Sequence, residues 1–214
     1  MPGVAPVGLA SKKKSLHDSE RDSERVRALR ADYRTRLATW VVTHLKCIDE
    51  SGVHLGLTRL WGRAAPGERV VDAVPSHAGQ HWTLLAAIGL TGLEAPWLLD
   101  GAVDRKAFEV YVKQVLAPTL VPGDMVVMDN LPAHKGTVIQ SAITARGARI
   151  EFLPPYSPDF NPIEECWSKI KTILRTAKAR TLDELLQALK LAFASITERD
   201  ALAWFAHCGY AVNS

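Results

Sequence analysis

The sequence predicts an α/β fold, a mixed five-stranded sheet flanked by helices, and three patterns carry that prediction. Short apolar runs at 45–48, 53–57 and 82–90 are separated by the turn signals Ser51-Gly52 and Pro66-Gly67, as in an antiparallel meander. The run at 124–128, wholly apolar after Asp124, reads as a strand buried on both faces, the kind found in parallel pairs. In the second half of the chain apolar residues recur at steps of 3 and 4, the helical period.

Taken in order, residues 1–40 form a charged N-terminal segment, disordered at its start and ending in a linker helix, and residues 41–214 form the folded domain. Between Lys12 and Arg36 charges of both signs crowd together. Only Val26, Leu29, Tyr33 and Leu37, at steps of 3, 4 and 4, make a thin apolar stripe, so this helix is expected to dock loosely. The three meander strands follow. Residues 104–116 make a helix with Phe108, Tyr111, Val112 and Val115 on its apolar side, capped by Asp104 and stopped by Pro118. After the strand at 124–128 come a helix at 132–145, closed by Gly147, and a last strand at 149–153.

The helix that opens at Pro162 buries Ile163, Trp167, Ile170, Leu174 and Ala177. A further helix at 181–195 has the stripe Leu182, Leu185, Leu186, Leu189 and Phe193, and a final short one contains Trp204 and Phe205. Three antiparallel strands followed by strand, helix, strand, helix is the order of ribonuclease-H-like folds. In that fold the ends of the first and fourth strands are neighbours, and the late helix packs across the sheet.

Composition narrows the class. At 214 residues and 47% hydrophobic the chain suits one well-buried domain with an appendage. A net charge of +3 and a pI near 8.8 permit a nucleic-acid partner without demanding one. Cys47, Cys166 and Cys208 form no Cys-x-x-Cys pair, which argues against a zinc module or a disulfide framework and suits a reducing compartment. Lys12-Lys13-Lys14 follow the weakly apolar first ten residues, the reverse of a secretory signal, and no window approaches a membrane span. A cytoplasmic protein without a membrane partner is expected.

Three acids stand at the places where these elements end or begin. Asp49 closes the first apolar run, Asp129 closes Met125-Val126-Val127-Met128, and Glu164 opens the helix after Pro162, with 34 residues between it and Asp129. Two carboxylates at strand ends and one at a helix start can converge on a divalent cation, and paired metals are the usual device for displacement at phosphorus. Taken singly, each acid has a structural reading. Asp49 and Asp129-Asn130 are turn formers, and Asn161-Pro162-Ile163-Glu164 spells a capping box. Glu50 and Glu165 also lie beside the presumed ligands, although strand alternation points Glu50 to the face opposite Asp49.

The segments Ile48-Asp49-Glu50-Ser51-Gly52, Met128-Asp129-Asn130 with His134-Lys135, and Pro155-Tyr156-Ser157-Pro158-Asp159-Phe160-Asn161-Pro162-Ile163-Glu164 resemble those of mariner-type DDE transposases. The branch they most resemble is that of bacterial insertion sequences with a D-D-34-E triad. The resemblance runs from about Leu45 to Tyr210. It implies the ribonuclease-H-like fold, selects Asp49, Asp129 and Glu164 as catalytic metal ligands, and implies two magnesium or manganese ions. It also places His134 and Lys135 beside the site, touching the scissile phosphate or ordering the pocket. On the late helix Glu164, Ser168, Lys171, Arg175 and Lys178 recur at 4, 3, 4 and 3, so Lys171, Arg175 and Lys178 make a candidate phosphate track along the face of Glu164. Trp61-Gly62-Arg63 resembles the family's hairpin after the first aspartate.

The implied reaction is cleavage at transposon ends and strand transfer into target DNA, with transposon-end and target DNA as partners. Family members carry helix-turn-helix modules ahead of this domain, and the roughly forty residues before strand one are too few and too charged for two of them. A separate helix-turn-helix protein or upstream reading-frame product is therefore implied, and homodimerisation stays open. A ribonuclease-H-like nuclease acting on RNA or branched DNA, and a catalytically silent DNA-binding remnant, remain alternatives at this point.

Overall fold

The computed structural model of the chain describes residues 18–77 and 79–212. The disordered start expected before the linker helix lies outside the described residues. Five strands form one sheet: β1 (Leu45–His54), β2 (His81–Gly89), β3 (Gly92–Asp100), β4 (Met125–Met128) and β5 (Arg149–Phe152), in the order β3-β2-β1-β4-β5. β1, β2 and β3 are mutually antiparallel neighbours, whereas β4 runs parallel to both β1 and β5. The mixed five-stranded sheet is the one the sequence predicts, with two of its strands drawn differently.

Ser51-Gly52 does not turn the chain. Both residues pair with β2, at Leu84 and Thr83, and β1 runs straight on to His54. Ser51 and Val53 are buried there, so the long apolar β2 offers them more than a turn would. The expected strand at 53–57 is thus partly the end of β1, and the third meander strand is β3, which follows a tight turn at Leu90-Thr91. Pro96 and the left-handed Ala95 disguised it. A proline is tolerated because β3 is an edge strand, and a register shift between Leu85 and Ala87 absorbs the irregularity.

The helices cover both faces. On one side α2 (Arg105–Tyr111), its π-wound continuation Val112–Leu116, and α3 (Thr137–Thr144) pack Phe108, Tyr111 and Ile139 against Ile48, Leu85 and Val126. Asp104 caps α2 through the Ala107 amide at 2.8 Å, as its sequence position predicts. On the other side lie α4 (Ile163–Ala177), α5 (Leu182–Ala194) and α6 (Glu198–His207), with Trp167, Ile170 and Phe205 packed over Cys47, Leu84 and Val127. The apolar stripe of α4 is buried as expected, with Cys166 added and Ala177 left out. That of α5 is rotated: Leu185, Ala188, Leu189 and Ala192 face inward, and Leu182 and Leu186 stay exposed. The alanines let α5 lie close to α4, so the larger leucines at the edge of the stripe are not needed in the contact.

The N-terminal helix α1 (Glu24–Leu37) docks on this second face more firmly than its charge suggests, burying Val26, Tyr33 and Leu37. The connection 55–80 leaves the sheet and returns. It is tied down where Arg180 donates to the Leu55 carbonyl and Thr58 hydroxyl at 2.6 and 2.8 Å, and where Arg59 donates to Thr176 at 2.8 Å. All three cysteines are free and buried. Among the described residues no helix is long and apolar enough to cross a membrane.

The two faces of α5 and the α4 stripe can be separated by truncation. Ile170→Ala should lower the unfolding free energy by about 2–5 kcal/mol, and Leu182→Ala by no more than about 0.5 kcal/mol. Urea unfolding followed by circular dichroism measures both, and equal losses would contradict the observed rotation of α5.

Candidate active site

The sheet register does the first part of the work. β1 and β4 pair in parallel, with Leu45 against Met125 and Cys47 against Val127. Two residues further along both strands the same register sets Asp49 beside Asp129. Cys47 and Val127 both face the core beneath α4, so alternation along the strands turns Asp49 and Asp129 to that same side. Glu50 points the other way, as its position predicts, and meets His134 at 3.3 Å.

Glu164 arrives from the opposite direction, in the first turn of α4. The capping box that Asn161-Pro162-Ile163-Glu164 spells does not form. The helix opens at Pro162 with no side-chain cap, and the Asn161 amide instead donates to the carbonyl of Ile48 at 3.4 Å. Burial drew Asn161 inward, which leaves the Glu164 carboxylate unspent. Glu165 lies 3.9 Å from His207 on α6. Asp49, Asp129 and Glu164 all line one cavity of about 430 Å³, together with Asn130, Leu131, Asn161 and the segment 153–158.

The charges in this cavity strain against one another. Burial first, and then the Glu164 and Asp129 carboxylates, push Asp49 up to about 7, although the Trp167 indole N–H donates to its Oδ2 at 3.1 Å and favours the ionised form. Glu164 is raised as well, by burial and by Glu165, against the pull of Lys171 two turns along. His134 is buried, its ring stacked on Phe108 at 4.1 Å, with Nδ1 paired to Asp129 and Nε2 facing Glu50. Burial favours its neutral form, but the two carboxylates outweigh that and push it up to about 9. At neutral pH it is therefore an imidazolium clamped between two acids.

Among the described residues no three acidic, His or Cys side chains close around a single point tightly enough to hold one ion. The donors nonetheless suit a divalent cation. They are hard carboxylate oxygens of the kind magnesium and manganese take. They also share an open cavity in which their mutual repulsion already favours the protonated form of one of them. They form a shared, open set rather than a closed cage.

The remaining candidates fall in different places. His134, expected to touch the scissile phosphate or to order the pocket, does not reach the surface and lies against Asp129 and Glu50. Lys135 is exposed, its amine 5.6 Å from the Phe152 ring centroid. Lys171 and Arg175 do share the α4 face of Glu164, and Arg175 lines a shallow cavity with Arg59, Trp61 and Thr172. Lys178 departs from the stripe: it is the left-handed C-cap of α4, and its amine is paired with Asp72 of the 55–80 connection. Sequence reasoning assigned Trp167 to the core alone. Its signal was the one polar N–H in that stripe, a single turn beyond Glu164.

A family model described as DDE superfamily endonuclease matches residues 44–186. No curated protein is significantly similar to the chain in sequence. A pre-cleavage Mos1 transpososome superposes with a TM-score of 0.73 at 15% identity, covering 94% of this chain and 64% of that one. The mariner Mos1 paired-end complex with Mn gives 0.69 at 15% identity, covering 94% and 64%. The catalytic domain of the Mos1 mariner transposase gives 0.62 at 12% identity, covering 92% and 91%. At such identities the likeness is one of fold, and the chain spans 64% of the transpososome protein.

The elevated Asp49 makes a pH prediction for the metal-free protein. Its carboxyl is easier to protonate in the fold than in the unfolded chain, where the value is about 3.9. The stability it contributes is present below about pH 4 and is lost as pH rises to about 7. Asp49→Asn abolishes that loss, so its melting temperature should gain on wild type steadily across this window in the presence of a chelator. The His134 contribution is lost above it, between about 6.5 and 9, and is not altered in sign. Parallel melting curves for the two proteins from pH 4 to 7 would contradict the assigned electrostatics.

Proposed function

The chain belongs to the DDE superfamily of endonucleases, and from that premise we propose that it is the catalytic domain of a DNA transposase. In this reading it cuts at the ends of a mobile element and joins the freed 3′-hydroxyl to target DNA. The observation that carries the reading is the meeting of Asp49, Asp129 and Glu164, from β1, β4 and α4, on one cavity. The separation of Asp129 from Glu164 and the string from Ser157 to Glu164 support the insertion-sequence branch. The partners are transposon-end DNA, target DNA and a second copy of the chain, since two ends must be joined in one event.

Magnesium or manganese, two ions in all, would supply activation of the attacking oxygen and neutralisation of charge on the phosphate when bound. The chain's own part is positional. Asp49 and Asp129 offer oxygens from adjacent strand ends, and Glu164 faces them from a helix start, whose dipole favours its ionised form. Trp167 engages one oxygen of Asp49 and so orients the other. His134 does the same for Asp129 and leans on Glu50. It acts through the aspartate rather than on DNA. Lys171 and Arg175 continue from Glu164 along α4 as the phosphate track, with Lys135 at the strand end. Lys178 reaches DNA only if it leaves Asp72.

The reading is tested on labelled duplexes carrying the element's terminal repeat, with plain DNA and an RNA–DNA hybrid alongside. In millimolar manganese the wild-type chain should nick the end-containing duplex. Glu164→Gln should lose more than the roughly 10–100-fold that removal of a ligand's supporting partner costs. Manganese should raise the wild-type melting temperature by several degrees, since saturation at about 100 Kd adds about 2.7 kcal/mol. Cleavage confined to the hybrid would make the chain a ribonuclease, and indifference to manganese would make it a silent remnant.

Binding to DNA gives a separate expectation. Replacing Lys171 and Arg175 together by alanine should weaken end-containing and unrelated duplexes alike. It should also flatten the dependence of log affinity on log salt by about 2, near 0.9 per lost contact. An unchanged slope would move the DNA to another face.

A further inference from the structure

The apolar stripe of α1 has an arginine in its middle. Val26, Arg30, Tyr33 and Leu37 follow one another at steps of 4, 3 and 4, and all four are buried. Burying a guanidinium is costly unless it is fully paired, and a leucine at this position would cover the same surface without that cost. Arg30 is paired throughout. Its Nη1 and Nη2 reach Oδ1 and Oδ2 of Asp159 at 2.9 and 2.6 Å, a two-pronged contact. Nη1 also reaches the Ser157 hydroxyl at 2.6 Å, and the guanidinium lies 4.4 Å above the centre of the Phe160 ring. Arg21 adds a second cation to Asp159 at 3.1 Å. Burial works against the Asp159 carboxylate, yet the Arg30 hydrogen bonds hold it below the ordinary carboxylate range.

What Arg30 grips is the wall of the acidic cavity. Tyr156, Ser157, Pro158 and Asn161 line it beside Asp49, Asp129 and Glu164. Tyr156 is held in the left-handed region at φ 55°, a conformation that persists only where its surroundings impose it. The last residue of this loop, Asn161, reaches across to Ile48, next to Asp49. α4 begins directly after it, with no side-chain cap, so the location of Glu164 is inherited from the loop. A second tie runs the same way, from the Tyr33 hydroxyl to that of Tyr210 at 3.1 Å, and from Tyr210 to the Phe160 carbonyl at 2.9 Å. α1 lies wholly outside the matched family region 44–186.

We infer that Arg30 is a positioning residue for Glu164. Docking of α1 completes the active site by clamping the 156–161 loop through Asp159, Ser157 and Phe160. Displacement of α1 leaves the triad's third member loose. The inference rests on the transposase reading for its effect on cleavage, but not for its effect on the loop.

The test compares wild type, Arg30→Met, Arg30→Lys and Asp159→Asn in the full chain. Three readouts are taken: manganese-dependent nicking of an end-containing duplex, the melting temperature, and hydrogen exchange of the Phe160, Asn161 and Glu164 amides. Those amides bond to Ser157, Pro158 and Asn161 carbonyls at 3.1, 2.9 and 3.1 Å. Arg30→Met keeps the stripe apolar, and the Asp159 carboxylate it leaves behind is 39% exposed and still paired with Arg21, so its melting temperature should fall by no more than a few degrees. Its kcat should nonetheless fall by up to about 100-fold, the effect of a misplacement of about 1 Å, with KM for DNA unchanged. The three amides should exchange faster while those of β1 and β4 do not.

Arg30→Lys keeps the charge without the fork and should recover only part of the loss. Asp159→Asn should reproduce the loss from the loop side, and it carries the test should Arg30→Met fail to fold. Nicking within about twofold of wild type in both Arg30→Met and Asp159→Asn, or undisturbed exchange at the three amides, would overturn the inference. If wild type itself does not nick, it is the transposase reading that fails, and the exchange data alone decide the role of Arg30.

Discussion

Carboxylates that repel one another at the ends of two adjacent parallel strands are the constraint around which the rest of this molecule is built. The β1–β4 register brings Asp49 and Asp129 abreast on the side of α4, and the resulting field is strong enough to help push Asp49 up to about 7. Left to themselves, such side chains would rotate apart into solvent. Each instead has a tether that enters from outside the cavity. Trp167 comes down from α4 onto Asp49, and His134 comes from the turn after β4 onto Asp129 with Glu50 behind it. Trp167 belongs to one layer of helices and His134 stacks on Phe108 of the other, so the site depends on the sheet being covered on its two faces.

α4 carries two duties on two faces. Its buried stripe fixes it across the sheet, and the opposite face runs from Glu164 through Lys171 to Arg175. Because the same rigid rod holds the acid and the cations, the direction of the cations from the carboxylates follows from the helix axis alone. The 55–80 connection is fastened to the far end of this rod by Arg59, Arg180 and the Lys178–Asp72 pair. The near end is fastened by α1 through Arg30 and Asp159. A helix that looked in the sequence like a solvated linker is thus a structural member of the site.

The three acids that share the cavity were legible in the sequence because their element contexts were: short apolar strands ending in aspartate, and a proline-led helix start. Local periodicity also located α2, α4 and α5 to within a few residues, whereas the helix expected at 132–145 begins only at Thr137, and the alternation along β1 assigned Glu50 to the other face. Local rules failed where a distant partner outbid them. Ser51-Gly52 read as a turn, yet both residues lie within β1 because β2 pairs with them. Asn161 read as a cap and became a buried cross-link to the Ile48 carbonyl.

By itself, then, the sequence determined the element types, the order that makes a mixed sheet, and which acids stand at the ends of those elements. These are properties of spacing and of residue chemistry along one chain, and they need no knowledge of what lies opposite. Only the tertiary structure decided the register that pairs Asp49 with Asp129, the burial of His134, the indole bond to Asp49, the rotation of α5 and the docking of α1. Each of those is a competition between partners far apart in sequence, such as Arg30 and Asp159, and is settled by geometry and desolvation at the point of contact. No local pattern encodes the outcome of such a competition.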